Sequence, residues 1–137
     1  METDFGKSVR LQISAHEKDL AGLTKIMSHR KLSRHEYLAG ERLLQTLIEC
    51  CIGVAKHWCR KSNLGTPSTA EEAFQRLHDK DIEDASPSFW RSVIGTRNAL
   101  MHDYLNIDQE VIESLIRDQQ YLSLRQFARL ALSELEF

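Results

Sequence analysis

Apolar residues recur along this chain at spacings of three and four, and no run of alternating β-branched residues is long enough for a strand. The pattern predicts an all-α fold, an antiparallel bundle of four to five helices. Val9, Ile13, His16, Leu20, Leu23 and Met27 share one stripe, which places a first helix from about Asp4 to Met27. A short link, His29-Arg30-Lys31-Leu32, leads to Ser33-Arg34-His35-Glu36. That is the capping-box pattern, in which serine and glutamate each satisfy a backbone donor at a helix start. Tyr37, Leu44, Ile48, Cys51, Ile52, Ala55 and Trp58 line one side of the helix that follows, and Leu43, Leu47 and Val54 widen it. So broad an apolar face suits a central helix covered from several directions. The breaker cluster Ser62-Asn63-Leu64-Gly65-Thr66-Pro67 ends it.

Thr69-Ala70-Glu71-Glu72 repeats the capping box and opens a short helix through Phe74 and Leu77, closed by the polar link Asp79-Lys80-Asp81. Ser86-Pro87 then reads as an N-cap with proline at the first helical position, where its missing N–H costs nothing. Phe89, Trp90, Val93, Ile94 and Met101 are expected to face inward from this fourth helix. Leu105-Asn106-Ile107-Asp108 reads as a turn and a new N-cap, and one final helix is expected to carry Val111, Leu115, Leu122, Phe127, Leu130 and Ala131. No repeat, low-complexity tract or linker interrupts the chain. Its 137 residues are therefore read as a single domain, residues 1–137, large enough to bury about two-thirds of its unfolded surface.

Charge narrows the partners. With 18 basic and 20 acidic side chains the formal charge is −2, which excludes a general basic coat; any nucleic-acid contact must be a local patch. No window is long and apolar enough to span a bilayer, and Met1-Glu2-Thr3-Asp4 is acidic, unlike a secretory signal. A cytosolic protein without a membrane partner is expected. Cys50, Cys51 and Cys59 lack paired C-x-x-C spacing, and no metal site is expected of them; buried thiols on a helix are the simpler reading. Trp58, Phe89 and Trp90 fall on apolar stripes and are assigned to the core.

The chemistry is concentrated at Gly95-Thr96-Arg97-Asn98-Ala99-Leu100-Met101-His102-Asp103-Tyr104. On a straight helix Arg97 and His102, five apart, point about 140° away from each other. Asn98 and His102 stack on one face, and Arg97 and Tyr104 share another. Either the helix unwinds near Met101, or arginine and histidine meet across a symmetric pair of chains. Arginine offers a permanently charged fork matched to phosphate oxygens, and histidine can take or give a proton near neutrality. Asn98 can hold one imidazole nitrogen so that the other faces a reacting group. Together these groups supply what RNA cleavage without a metal requires: a base for the 2′-hydroxyl, a cation for the phosphate and an acid for the leaving oxygen. A simpler reading stays open, in which arginine and histidine near a helix end cap carbonyls and answer the helix dipole.

Arg97-x-x-x-x-His102-x-Tyr104, with Asn98, resembles the signature of the HEPN superfamily, in particular the HepT-type ribonuclease toxins. Residues 37–49, Tyr37 to Glu49, are similar to that family's long second helix, and the Pro67-to-Leu77 region to its helix with Phe74 and Leu77. The resemblance covers nearly the whole chain. It implies a homodimeric, metal-independent endoribonuclease toxin needing no cofactor, with Arg97 and His102 catalytic and Asn98 and Glu49 supporting. It also implies a partner, a small MNT-type nucleotidyltransferase antitoxin that silences the toxin by attaching AMP to the motif tyrosine, here Tyr104. The chain departs from the pattern at Gly53, where relatives often carry an acidic residue. Three other readings remain beside this one. His57, His78-Asp79 and His102-Asp103 partly match the metal-binding pattern of helical phosphohydrolases. The basic link from His29 to His35 offers cations to RNA phosphates or is a solvated loop. A HEPN chain can also serve its nucleotidyltransferase as a binding subunit without a working site.

Overall fold

Six α-helices form from these patterns in the computed structural model, which describes residues 4–135. They are α1 (Asp4–Met27), α2 (Arg34–Lys61), α3 (Ala70–Asp79), α4 (Pro87–His102), α5 (Gln109–Arg117) and α6 (Tyr121–Leu135), and there is no strand among the described residues. The fold is an all-α bundle. Of the acidic amino-terminal tetrapeptide, Met1 to Thr3 lie outside the described residues. No helix among the described residues is long and apolar enough to cross a membrane.

Helix α2 is the hub, touching α1, α3, α4, α5 and α6. Its start is the expected capping box: Ser33 Oγ accepts from the Glu36 amide at 3.2 Å, and Glu36 Oε1 accepts from the Ser33 amide at 2.7 Å. Around it Phe74 stacks on Trp90 with centroids 4.0 Å apart, and Phe127 closes on both at 5.1 and 4.9 Å. The indole N–H of Trp90 donates to the Asp84 carbonyl at 2.7 Å, so burying it leaves no orphaned donor. Cys51 and Cys59 are buried thiols donating to the Leu124 and Ala73 carbonyls, and burial pushes both pKa values up. Cys50 is half-buried and donates to Gln12. Where α2 meets α5, Gly40 makes room for the Ile116 side chain: a Cβ there would stand 2.6 Å from Ile116 Cδ1.

Local differences from the sequence reading have identifiable causes. The last helix is two helices, because Gln119 adopts φ 55° and the chain turns there. The Gln120 amide returns to the Leu115 carbonyl at 3.0 Å and the Gln119 amide to Ile116 at 3.2 Å, the Schellman arrangement. The Thr24 hydroxyl pins this corner, donating to the Ile116 carbonyl at 2.7 Å and meeting the Tyr121 hydroxyl at 2.8 Å. The break shifts the helical phase, so Val111 is exposed while Ile112 and Ile116 are buried. Met101, expected inside, is 44% exposed. At α3 the capping box is displaced by one residue: Thr69 accepts from the Glu72 amide, but Glu72 binds the amide and hydroxyl of Ser68. Pro87 opens α4 as expected, whereas the Ser86 side chain caps nothing and contacts the Ser88 hydroxyl.

Candidate active site

Helix α4 runs unbroken to His102, and the Asp103 amide closes it on the Ala99 carbonyl at 3.0 Å. A single 3₁₀ turn, Tyr104–Asn106, follows, held by the Asn106 side-chain amide donating to Asp103 Oδ1 at 2.7 Å. Asp108 then caps α5 by accepting from the Glu110 amide. This tight reversal sends Tyr104 back towards the amino-terminal half of α2. Its hydroxyl donates to Glu41 Oε1 at 2.7 Å.

Arg97 projects from the middle of α4 onto α2. Its Nη1 donates to Glu49 Oε1 at 3.3 Å and lies 3.9 Å from Met101 Sδ, one turn further along. The side chain of Arg97 is 19% exposed and that of Glu49 42%, so the pair sits at the rim of the bundle. The Arg97 Nε–H is buried and has no partner. Asn98 and His102 are exposed, and the side chain of neither makes a hydrogen bond among the described residues. The expected hold of Asn98 on the imidazole is therefore not formed in the single chain. Of the simpler reading, carbonyl capping is not seen, since neither the Arg97 nor the His102 side chain bonds a helix carbonyl, whereas His102 does stand in the last turn of α4, at the negative end of the helix dipole.

Of the two arrangements open to arginine and histidine, unwinding near Met101 is excluded by the continuous helix. The pair stays on faces roughly 140° apart within one chain. Exposed apolar groups cluster at this end: Met101, Tyr104 at 47% and Leu105 at 97%. Gly53 lies one turn beyond Glu49 on α2, exposed, with open space where a Cβ would stand.

Two contributors were not picked out as site residues in the sequence. Glu41 is the one buried charged side chain among the described residues, at 7% exposure. Tyr37, one turn before it and also buried, shares this carboxylate; burial and then Glu41 push its pKa well up. The Tyr104 phenol is likewise raised, first by its hydrogen bond to Glu41, with Arg34 pulling the other way. Arg34, Tyr37 and Glu41 lie three and four residues apart on α2, hence on one face, and that spacing was the available signal. Arg30 of the basic link is engaged in a two-pronged pair with Glu36 at 2.8 and 2.9 Å, and holds the Glu36 carboxyl down at about 2. No three His, Cys, Asp or Glu side chains among the described residues converge as metal ligands would, so His57, His78-Asp79 and His102-Asp103 do not assemble.

Comparison with known proteins adds to this geometry. Residues 13–131 match the model of the family described as Ribonuclease HepT-like. Over 75 residues the chain is 27% identical to the mRNA nuclease HepT of Shewanella oneidensis (strain MR-1), a match covering 54% of this chain and 56% of that protein, little more than half of either. Among solved structures the chain is similar to a tri-AMPylated Shewanella oneidensis HEPN toxin in complex with MNT antitoxin, with a TM-score of 0.80 and 21% identity over 98% of this chain and 99% of that one. A toxin-antitoxin crystallised with AMP-PNP gives a TM-score of 0.79 at 20% identity, over 94% and 98% of the two chains. A mutant MntA-HpeT toxin-antitoxin gives 0.77 at 21%, over 98% and 100%. At such identities these structures speak for the fold alone.

Proposed function

The chain belongs to the HepT-like ribonuclease family, and from that premise we propose that it is an endoribonuclease toxin cutting RNA without a metal through Arg97 and His102. The observation that carries the reading is the state of those two side chains. Arg97 is steadied by Glu49 at the rim with its side chain still 19% exposed, and the His102 side chain stands free at the end of the same helix beside exposed apolar surface. A guanidinium so held is oriented for a phosphate, and an imidazole with no internal partner can exchange protons with substrate. Since the two point apart within one chain, the reaction is assigned to a homodimer in which Arg97 of one copy and His102 of the other flank the phosphodiester.

In that cleft the imidazole takes the proton of the 2′-hydroxyl, and the resulting oxygen attacks the adjacent phosphorus. Arg97 stabilises the charge that builds on the phosphoryl oxygens. A protonated imidazole gives its proton to the departing 5′-oxygen, leaving a 2′,3′-cyclic phosphate and a 5′-hydroxyl. DNA, lacking the nucleophile, is not cut. Glu49 positions Arg97; Asn98, which does not hold the imidazole within one chain, supports His102 once the dimer closes, and Gly53 leaves Glu49 without the second acidic residue. The partner that restrains the toxin is a small MNT-type nucleotidyltransferase, which places AMP on Tyr104. An anion there sits at the foot of the motif and competes with RNA phosphate for Arg97.

An RNA cleavage assay on wild type and His102→Ala tests the reading. Cleavage by the wild type, lost in the variant and insensitive to chelator, is expected. Equal cleavage by both removes the histidine from the mechanism. No cleavage by either favours the other role open to a HEPN chain, a non-catalytic subunit that only binds its nucleotidyltransferase.

A further inference from the structure

Tyr104 makes one hydrogen bond through its hydroxyl, and the acceptor is unusual. Glu41 is buried, is drawn from the central helix and reaches the phenolic oxygen at 2.7 Å. A carboxylate removed from water is costly unless it is fully partnered, and apolar or amide residues would fill this helix position at lower cost. Tyr104 remains 47% exposed, so a partner can reach the residue from solvent while its hydroxyl proton is already aimed at Glu41.

We propose that Glu41 is a catalytic residue for the modification of Tyr104, accepting the phenolic proton as the nucleotidyl group is transferred, so that the toxin itself supplies the base for its own silencing. The inference rests on the reading that Tyr104 is the AMP acceptor and adds the group that activates it. In the step, the phenolic oxygen forms a bond to the α-phosphorus of ATP held by the partner nucleotidyltransferase. The bond from that phosphorus to the oxygen bridging to the β-phosphate breaks, and pyrophosphate leaves with its electron pair. The phenolic proton passes along the existing hydrogen bond to Glu41. Without an acceptor, a phenol must ionise first, and near neutrality only about one molecule in a thousand does so. The other ionisable groups facing this pair are Tyr37, which shares the carboxylate, Arg34 beside the phenol, and Glu113 of α5, which faces Tyr37.

The test is the initial rate of AMP addition to Tyr104, read by mass spectrometry of full-length toxin mixed with the partner nucleotidyltransferase and magnesium ATP from pH 7 to 9. Glu41→Gln keeps an oxygen that accepts from the phenol but cannot take its proton. Its rate should fall about 100-fold or more at pH 7, the range of general-base assistance. The ratio of variant to wild-type rate should then climb about tenfold per pH unit as phenolate forms unaided, a slope that a merely structural role would not produce. Tyr37→Phe, which removes the competing donor and leaves the carboxylate on Tyr104, should be modified at least as fast as wild type. Equal rates for wild type and Glu41→Gln across that pH range overturn the inference and leave the modification of Tyr104 standing. A Tyr37→Phe defect as deep as that of Glu41→Gln also overturns it, by making the buried network rather than proton transfer responsible. No adduct on wild-type Tyr104 overturns the modification itself and this inference with it.

Discussion

Replacing Arg97 by alanine separates a catalytic arginine from a structural one, because the structure sets the two costs far apart. On the stability side the substitution removes an ion pair with Glu49 at 3.3 Å between side chains 19% and 42% exposed. Such rim pairs contribute roughly 0.2–1 kcal/mol, alanine costs nothing in helix propensity, and the partnerless Nε–H disappears. The total is about 1 kcal/mol. An unfolding entropy near 2.1 cal/mol/K per residue, over a chain of this length, converts that to a Tm shift of about 3–4 °C. On the activity side, loss of one preorganised donor to a charged transition state lowers kcat about 10²–10³-fold. Circular-dichroism melts and a fluorogenic RNA substrate measure both quantities on the same preparation. Arg97→Lys keeps the charge without the planar fork and should fall between the two. A Tm drop beyond 10 °C with cleavage within tenfold of wild type would refute the assignment and return Arg97 to a structural role.

Three further outcomes follow from the fold. Gln119 holds φ 55° at the end of α5, where an L side chain costs about 1 kcal/mol, so Gln119→Gly should raise the melting temperature by a few degrees; a decrease would mean the side chain matters more than the turn. Gly53 is exposed in the middle of α2 with open space around its Cβ position, so Gly53→Ala should stabilise by up to about 1 kcal/mol in urea melts, and a loss instead would show that this face is covered. Burial holds the His16 pKa below 6.5, opposed by Asp19 and aided by Arg42, and His57 is lowered with the same sign. The unfolded chain therefore binds these protons more tightly. Their stability contribution is complete above about pH 6.5 and is lost as the pH falls from there through the folded pKa values. Melts at pH 7 and 5.5 should show a smaller loss for His16→Gln than for wild type, and equal losses would discount burial of this imidazole.

Most of the fold was legible because it is written in period and punctuation. The stripe from Val9 to Leu23, the broad face of α2 and the Ser33–Glu36 box all act locally, and local signals survive tertiary packing. The division of the last helix was not legible: Asp118-Gln119-Gln120 contains no glycine, proline or asparagine, and the left-handed turn at Gln119 is held by Thr24, ninety-five residues earlier. Met101 misled for a related reason. It falls on the inward stripe of α4 by spacing, but it lies in the last turn, against Arg97, and stays 44% exposed. Of the candidate site, Glu49 beside Arg97 was named by the family resemblance and not by spacing, the face that helix spacing gave Arg97 and Tyr104 in common ends with α4 at His102, and the link from Tyr104 to Glu41 spans sixty-three positions with no periodicity to announce it.

The unbroken α4 has a consequence for how activity distributes between copies. Were the helix unwound at Met101, each chain could bring its own Arg97 and His102 together and a pair would hold two self-sufficient sites. With the helix continuous to His102, the two groups diverge by about 140°, and the proposed cleft takes one from each copy. These arrangements predict opposite results when two dead variants are combined. A purified heterodimer of Arg97→Ala and His102→Ala chains, co-expressed with different tags, retains one intact arginine and one intact histidine. If sites are shared, these fall opposite each other, one of two sites is rebuilt, and about half of the wild-type cleavage rate returns. If each chain works alone, both sites are broken and nothing returns. Exposed Met101 and Leu105 beside the motif offer apolar surface for the contact such a pair requires. A heterodimer that forms stably and stays inactive would therefore remove the shared site, whatever the single variants do.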